Sequence, residues 1–138
     1  MTLLESLREV KALAEATAKL LNGAVLRFGH LVDRLEFTTK GGRPAIIKVE
    51  GSLLKPVVVV EIEVEEGNYL KAPRYRRIIV SEDNLEFLEL FMDNAEAMLS
   101  VVAKVINAAR RTLDELENLM RDVSEKLAPL MVERALSG

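Results

Sequence analysis

The segment whose residue types most clearly suggest a binding function is Tyr69–Arg77, which carries four basic side chains and both tyrosines of the chain. Successive side chains of an extended strand point to opposite faces, which groups Tyr69, Lys71, Tyr75 and Arg77 on one face and Arg74 and Arg76 on the other. Proteins that bind single strands combine a basic track for phosphates with aromatic faces for bases. The segment therefore predicts a surface for single-stranded DNA or RNA. Further candidates for this surface are Lys48, Arg43, Arg27 and Phe28, with Lys40 and Lys55 beside the track.

A second interpretation of the same arginines stays open. Arg74 and Arg76 could pair across the sheet with Glu61 and Glu63 and contribute to sheet stability instead of binding a ligand. The alternating glutamates that end with Glu65 could in principle hold a divalent metal, but solvated or paired carboxylates are the more common outcome.

An enzyme is not expected. The chain has no cysteine and one histidine, His30, which stands between Arg27 and Arg34. It contains no GxSxG, HExxH, Walker A or GxGxxG pattern. We expect no catalytic residue, no metal site and no cofactor.

Charge divides the chain into two parts. Residues 1–81 contain more basic than acidic residues, whereas residues 82–138 are strongly acidic, and the whole chain has a net charge of −3. A mildly basic body is compatible with nucleic acid although the total is acidic. The absence of glutamine and cysteine, together with abundant Glu, Lys and Arg, is typical of thermophile proteins. No apolar run approaches the ~20 residues of a membrane span, and no signal peptide is recognisable, so we expect a cytoplasmic protein.

The hydrophobic periodicity predicts an α+β fold. Apolar residues at steps of three and four from Leu3 to Leu21 indicate an amphipathic helix. Residues 24–34 could be helix or strand. Four strands follow, predicted at 35–39, 44–50, 55–65 and 69–80, and their short connections favour an antiparallel meander. The body therefore comprises residues 1–81.

Residues 82–138 are predicted to form one long helix with a coiled-coil repeat. Apolar residues recur at alternating steps of three and four from Leu85 to Leu130, as in a leucine zipper. The first part, up to Ala109, has extra apolar residues and is expected to pack on the body. The second part is expected to pair with other copies in a homodimer or homotetramer. The residues assigned to oligomerisation are Leu99, Val102, Ile106, Ala109, Leu113, Leu116, Met120, Val123, Leu127 and Leu130.

This organisation resembles that of ThermoDBP, the single-stranded DNA-binding family of Thermoproteales, and its related proteins in other thermophilic archaea. The resemblance covers the whole chain in architecture and rests on no short motif. It implies a basic, aromatic-lined cleft for single strands and association through C-terminal helices. A coiled-coil structural or adaptor protein without a nucleic-acid role is the alternative.

Overall fold

The computed structural model describes residues 2–137 and confirms the α+β arrangement. A long helix is followed by a four-stranded sheet and a second, longer helix. The elements are α1 (Leu3–Phe28), a 3-10 turn (Gly29–Leu31), β1 (Leu35–Thr38), β2 (Pro44–Gly51), β3 (Pro56–Glu65), β4 (Arg74–Ile79) and α2 (Leu85–Ser137).

Helix α1 begins at a capping box. The Thr2 hydroxyl accepts a hydrogen bond from the Glu5 amide, and the Glu5 carboxylate accepts one from the Thr2 amide, which satisfies two donors at the helix start. The helix continues through Asn22 and Gly23, where the Asn22 side chain donates to the carbonyl of Val80 at 2.9 Å. Residues 24–34, which the sequence left undecided, are therefore mainly helix and turn.

The sheet is an antiparallel meander in the order β1-β2-β3-β4. Its inner face packs on the helices, because alternate residues of each strand belong to one core. These inner residues are Leu35, Ala45, Ile47, Val58, Val60, Ile62 and Ile78. Most charged residues of the strands lie on the outer face, among them Glu36, Lys48, Glu61 and Arg77.

Helix α2 contains one break. Asn94 has non-helical backbone angles (φ −132°, ψ 29°) and is only 8% exposed. Its side-chain nitrogen donates to the carbonyl of Leu90 at 3.0 Å, and its side-chain oxygen accepts from the amide of Lys40 at 2.7 Å. Asn94 thus bends the helix and fixes it to the turn between β1 and β2.

The body buries a different stripe of α2 from the one that the heptad repeat suggests. Its most buried residues are Phe87, Phe91, Met98 and Val105. By contrast, three predicted seam residues on the neighbouring face stay partly in solvent, with Leu85 72%, Met92 55% and Leu99 40% exposed.

Two residues assigned to oligomerisation lie in the core of their own chain. Val102 and Ala109 are buried, so they are not available to a partner, and Ile106 packs partly against the core. The prediction was wrong for these positions because heptad spacing does not show which edge of an apolar stripe meets the body.

Beyond Thr112, every residue of α2 through Leu136 is exposed. The remaining assigned residues fall in this distal part, residues 113–136: Leu113, Leu116, Met120, Val123, Leu127 and Leu130. At ~1.5 Å per residue the distal part extends about 35 Å. Its apolar stripe is exposed in the single chain.

Candidate nucleic-acid interface

The outer face of the sheet brings together three of the candidate residues. In the register of the strands, Glu63 lies opposite Tyr75, Glu61 lies opposite Arg77, and Lys48 lies on the adjacent strand β2. Tyr75 is 55% exposed. More than half of this residue's surface is therefore accessible to a ligand.

The cations of this face are already paired. Lys48 contacts Glu61 at 2.7 Å and Glu50 at 3.5 Å, and the Arg77 guanidinium donates to Glu50 at 2.5 Å. These side chains surround Val59, which points to the outer face and is nevertheless fully buried. The network therefore shields an apolar side chain and offers little free positive charge.

The network also shifts two ionisation equilibria. The hydrogen bond from Arg77 lowers the pKa of Glu50 below 4.5, and the hydrogen bond to Glu61 raises the pKa of Lys48 above 10.5. Both shifts favour the charged forms. Lys48 and Glu50 are therefore both charged at neutral pH, and the ion pairs that they make are intact.

The turn between β3 and β4 positions the next three candidates. The Asn68 side chain accepts hydrogen bonds from the amides of Leu70 and Lys71, which folds the turn tightly. Tyr69 projects from it and is 95% exposed. A side chain at Gly67 would meet Pro73 at 2.6 Å, so the turn also depends on that glycine.

The fourth strand is shorter than predicted. It begins at Arg74 rather than Tyr69, so Tyr69 and Lys71 do not share a strand face with Tyr75. Lys71 and Arg74 instead contact the same carboxylate, Glu65, at 3.1 Å each. Glu66 lies in the same turn, so residues 65–74 carry two acidic and two basic side chains and no net charge.

The turn between β1 and β2 supplies the free cations. In an antiparallel meander the β1–β2 and β3–β4 turns lie at the same end of the sheet, roughly 10 Å apart at ~4.8 Å per strand. Lys40 and Arg43 in the first turn have no ion-pair partner among residues 2–137. We call these two turns together, residues 39–43 and 66–74, the hairpin end.

Three candidates lie elsewhere. Arg76 points away from the outer face and contacts Glu86 of α2 at 2.9 Å. Arg27 and Phe28 end α1, which leads into the opposite end of β1. The alternative prediction paired Arg74 and Arg76 with Glu61 and Glu63 across the sheet. Arg74 does pair across the sheet, but with Glu65, whereas Arg76 pairs with Glu86 on α2 and not with another strand.

No family model, curated protein or solved structure matches this chain. In the described part of the chain, neither helix has a stretch that is both long and apolar enough to cross a bilayer. The same residues hold no cluster of three or more histidine or carboxylate side chains arranged for a metal ion.

Proposed function

We propose that this protein is a cytoplasmic homo-oligomer that binds single-stranded nucleic acid across the hairpin end and the adjoining outer face of β4. Tyr69 and Tyr75 stack on bases, while Arg43, Lys71 and Arg74 contact phosphates. This extends the architectural resemblance to ThermoDBP, whose cleft is also basic and aromatic. The ligand is single-stranded because duplex bases are already stacked and do not present their faces.

The observation that supports this proposal is the exposure of both tyrosines beside basic side chains. An aromatic ring left in water is not being used for packing. Two of the four phenylalanines, Phe87 and Phe91, are fully buried in the core, whereas Phe28 at the end of α1 is 41% exposed. Each base stacked on an aromatic ring contributes ~1–3 kcal/mol. Two rings and three or four cations are enough for a short single strand.

Self-association is supported by the distal part of α2. Burying each leucine, methionine or valine side chain contributes roughly 1.5–3 kcal/mol. A stripe of six such exposed residues is therefore expected to find a partner. Joining two hairpin ends in one particle would also strengthen binding, because a second site on the same strand acts at high effective concentration.

The test is fluorescence anisotropy with labelled oligo-dT and oligo-rU at two salt concentrations. Phosphate contacts predict binding that weakens steeply with salt. Tyr69→Ala is expected to weaken binding about tenfold, whereas Tyr69→Phe keeps the ring and the affinity. Arg43→Ala should reduce the salt slope by about one. The matched control is Arg111→Ala, an exposed arginine on α2, which should change neither.

The competing function is an oligomeric adaptor. The observation that favours it is the pairing of Lys48 and Arg77 with carboxylates, which reduces free charge on the outer face. An adaptor predicts no salt-sensitive binding of either oligonucleotide below ~10 μM. That result, with the oligomer intact, would replace the proposed function by the alternative.

A further inference from the structure

An apolar groove lies between α1 and the first turns of α2. Leu7, Val10 and Ala14 form one wall, Leu85, Leu88 and Met92 the other, and they enclose a volume of about 240 Å³. Leu7, Leu85 and Met92 are exposed. Apolar side chains from two separate helices are thus left facing the same space.

One wall of this groove continues along the whole of α2. Counting in steps of seven from Leu85 gives Met92, Leu99, Ile106, Leu113, Met120 and Leu127. Ile106 is half-buried and the other six residues are exposed. The apolar line therefore starts in the groove, passes the body and reaches the distal part without interruption.

We propose that the groove receives the distal part of α2 from a second copy of this chain, in an antiparallel pair centred near Ile106. This inference rests on the proposed self-association and specifies its geometry. Residues equally distant from Ile106 then meet: Leu99 with the partner subunit's Leu113, Met92 with the partner subunit's Met120, and Leu85 with the partner subunit's Leu127.

Interface size favours this arrangement over pairing of the distal parts alone. A strip ~10 Å wide along residues 85–130 measures about 68 Å, and it buries roughly 1,400 Å² over both partners. The distal parts alone, about 35 Å long, bury roughly half of that area. Stable specific interfaces bury ~1,200–2,000 Å², so only the longer overlap reaches that range.

The apolar breadth of the helix end and the charge of α2 agree with this geometry. Leu127, Leu130 and Met131 are all exposed within about 100° of the helix circumference, which is wide enough to contact two helices of a groove at once. Residues 82–109 carry six acidic side chains and one basic one, whereas residues 110–137 carry six and five. A parallel pair would place the two acidic segments side by side, and the antiparallel pair separates them.

The test uses distances between spin labels on the full chain, which has no native cysteine. Ser124 and Asn107 are exposed on α2. Two single variants, Ser124→Cys and Asn107→Cys, are each labelled and measured separately. The proposed pair gives about 54 Å between the two labels at position 124 and less than ~25 Å between those at position 107. A parallel pair gives short distances at both positions. An antiparallel pair of distal parts gives a short distance at 124 and about 53 Å at 107.

Solution mass and one groove variant complete the test. Leu7→Asp is expected to weaken the dimer at least tenfold, whereas Leu13→Asp, an equally exposed α1 leucine outside the groove, leaves it unchanged. A dimer with a short distance at position 124, or with no sensitivity to Leu7→Asp, overturns the groove arrangement and retains self-association. A monomeric mass without dipolar coupling overturns both.

Discussion

Asn94 offers a direct test of how the β1–β2 turn is held on α2. Asn94→Ala removes two hydrogen bonds and leaves the Lys40 amide without its acceptor. A hydrogen bond contributes ~0.5–1.5 kcal/mol, so the two together contribute ~1–3 kcal/mol. Lys40 is exposed, so no cost of a buried unsatisfied donor is added. The higher helix propensity of alanine offsets up to ~0.7 kcal/mol of this lost stability. The free energy of unfolding should therefore fall by about 2 kcal/mol.

The matched control is Asn107→Ala, the same substitution at an exposed position of the same helix. It should be neutral or stabilising by up to ~0.7 kcal/mol. Urea unfolding at one fixed protein concentration measures both variants, and amide exchange at Lys40 reports the local contact. Equal unfolding midpoints for the two variants, with the Lys40 amide still protected in Asn94→Ala, would refute the role assigned to Asn94.

Three further predictions concern the turns, the ion-pair network and the distal part of α2. Gly51→Ala should destabilise the protein by about 1–3 kcal/mol, because φ is +91° and a Cβ would lie 2.5 Å from a carbonyl oxygen of the turn. The control is Gly23→Ala, where the added methyl group meets open space within α1, and it should stabilise the protein by about 0.4–1 kcal/mol. Urea unfolding compares the two variants, and equal effects would contradict the special role given to the backbone conformation of Gly51. Because Arg77 lowers the folded-state pKa of Glu50, the stabilisation by Glu50 is complete above pH 4.5 and is lost as pH falls through the folded pKa. Glu50→Gln should therefore flatten the acid side of the stability profile, and an unchanged profile would contradict this. Deleting residues 113–138 should leave a folded monomer, judged by circular dichroism and solution mass, since residues 113–136 contribute nothing to the core.

Local sequence features were sufficient to predict most of the elements. The β-branched run of β3 and the lack of glycine and proline between Pro73 and Pro129 predicted a strand and a long helix. The fourth strand was predicted too long, because alternation does not reveal that the Asn68 side chain folds residues 68–71 into a turn. Residues 24–34 stayed open, because Asn22 and Gly23 are compatible with either continuation.

Long-range pairing explains what the sequence could not provide at the site. The partners of Arg77 and Arg76 are Glu50, which is 27 residues away, and Glu86, which lies on another element. Likewise, the break at Asn94 depends on the amide of Lys40, 54 residues earlier. Composition locates basic and aromatic residues, but only the folded chain shows which of them are neutralised.

The placement of the tyrosines has a practical consequence for spectroscopy. The chain has no tryptophan and only two tyrosines, and both belong to the β3–β4 turn and the strand that follows it. Near-ultraviolet emission from the unlabelled protein therefore originates from one small region, at the ring positions proposed to meet the bases. Quenching of the tyrosine fluorescence by an added oligonucleotide would monitor binding at this region without any dye. Unfolding of the helices elsewhere would change the fluorescence little.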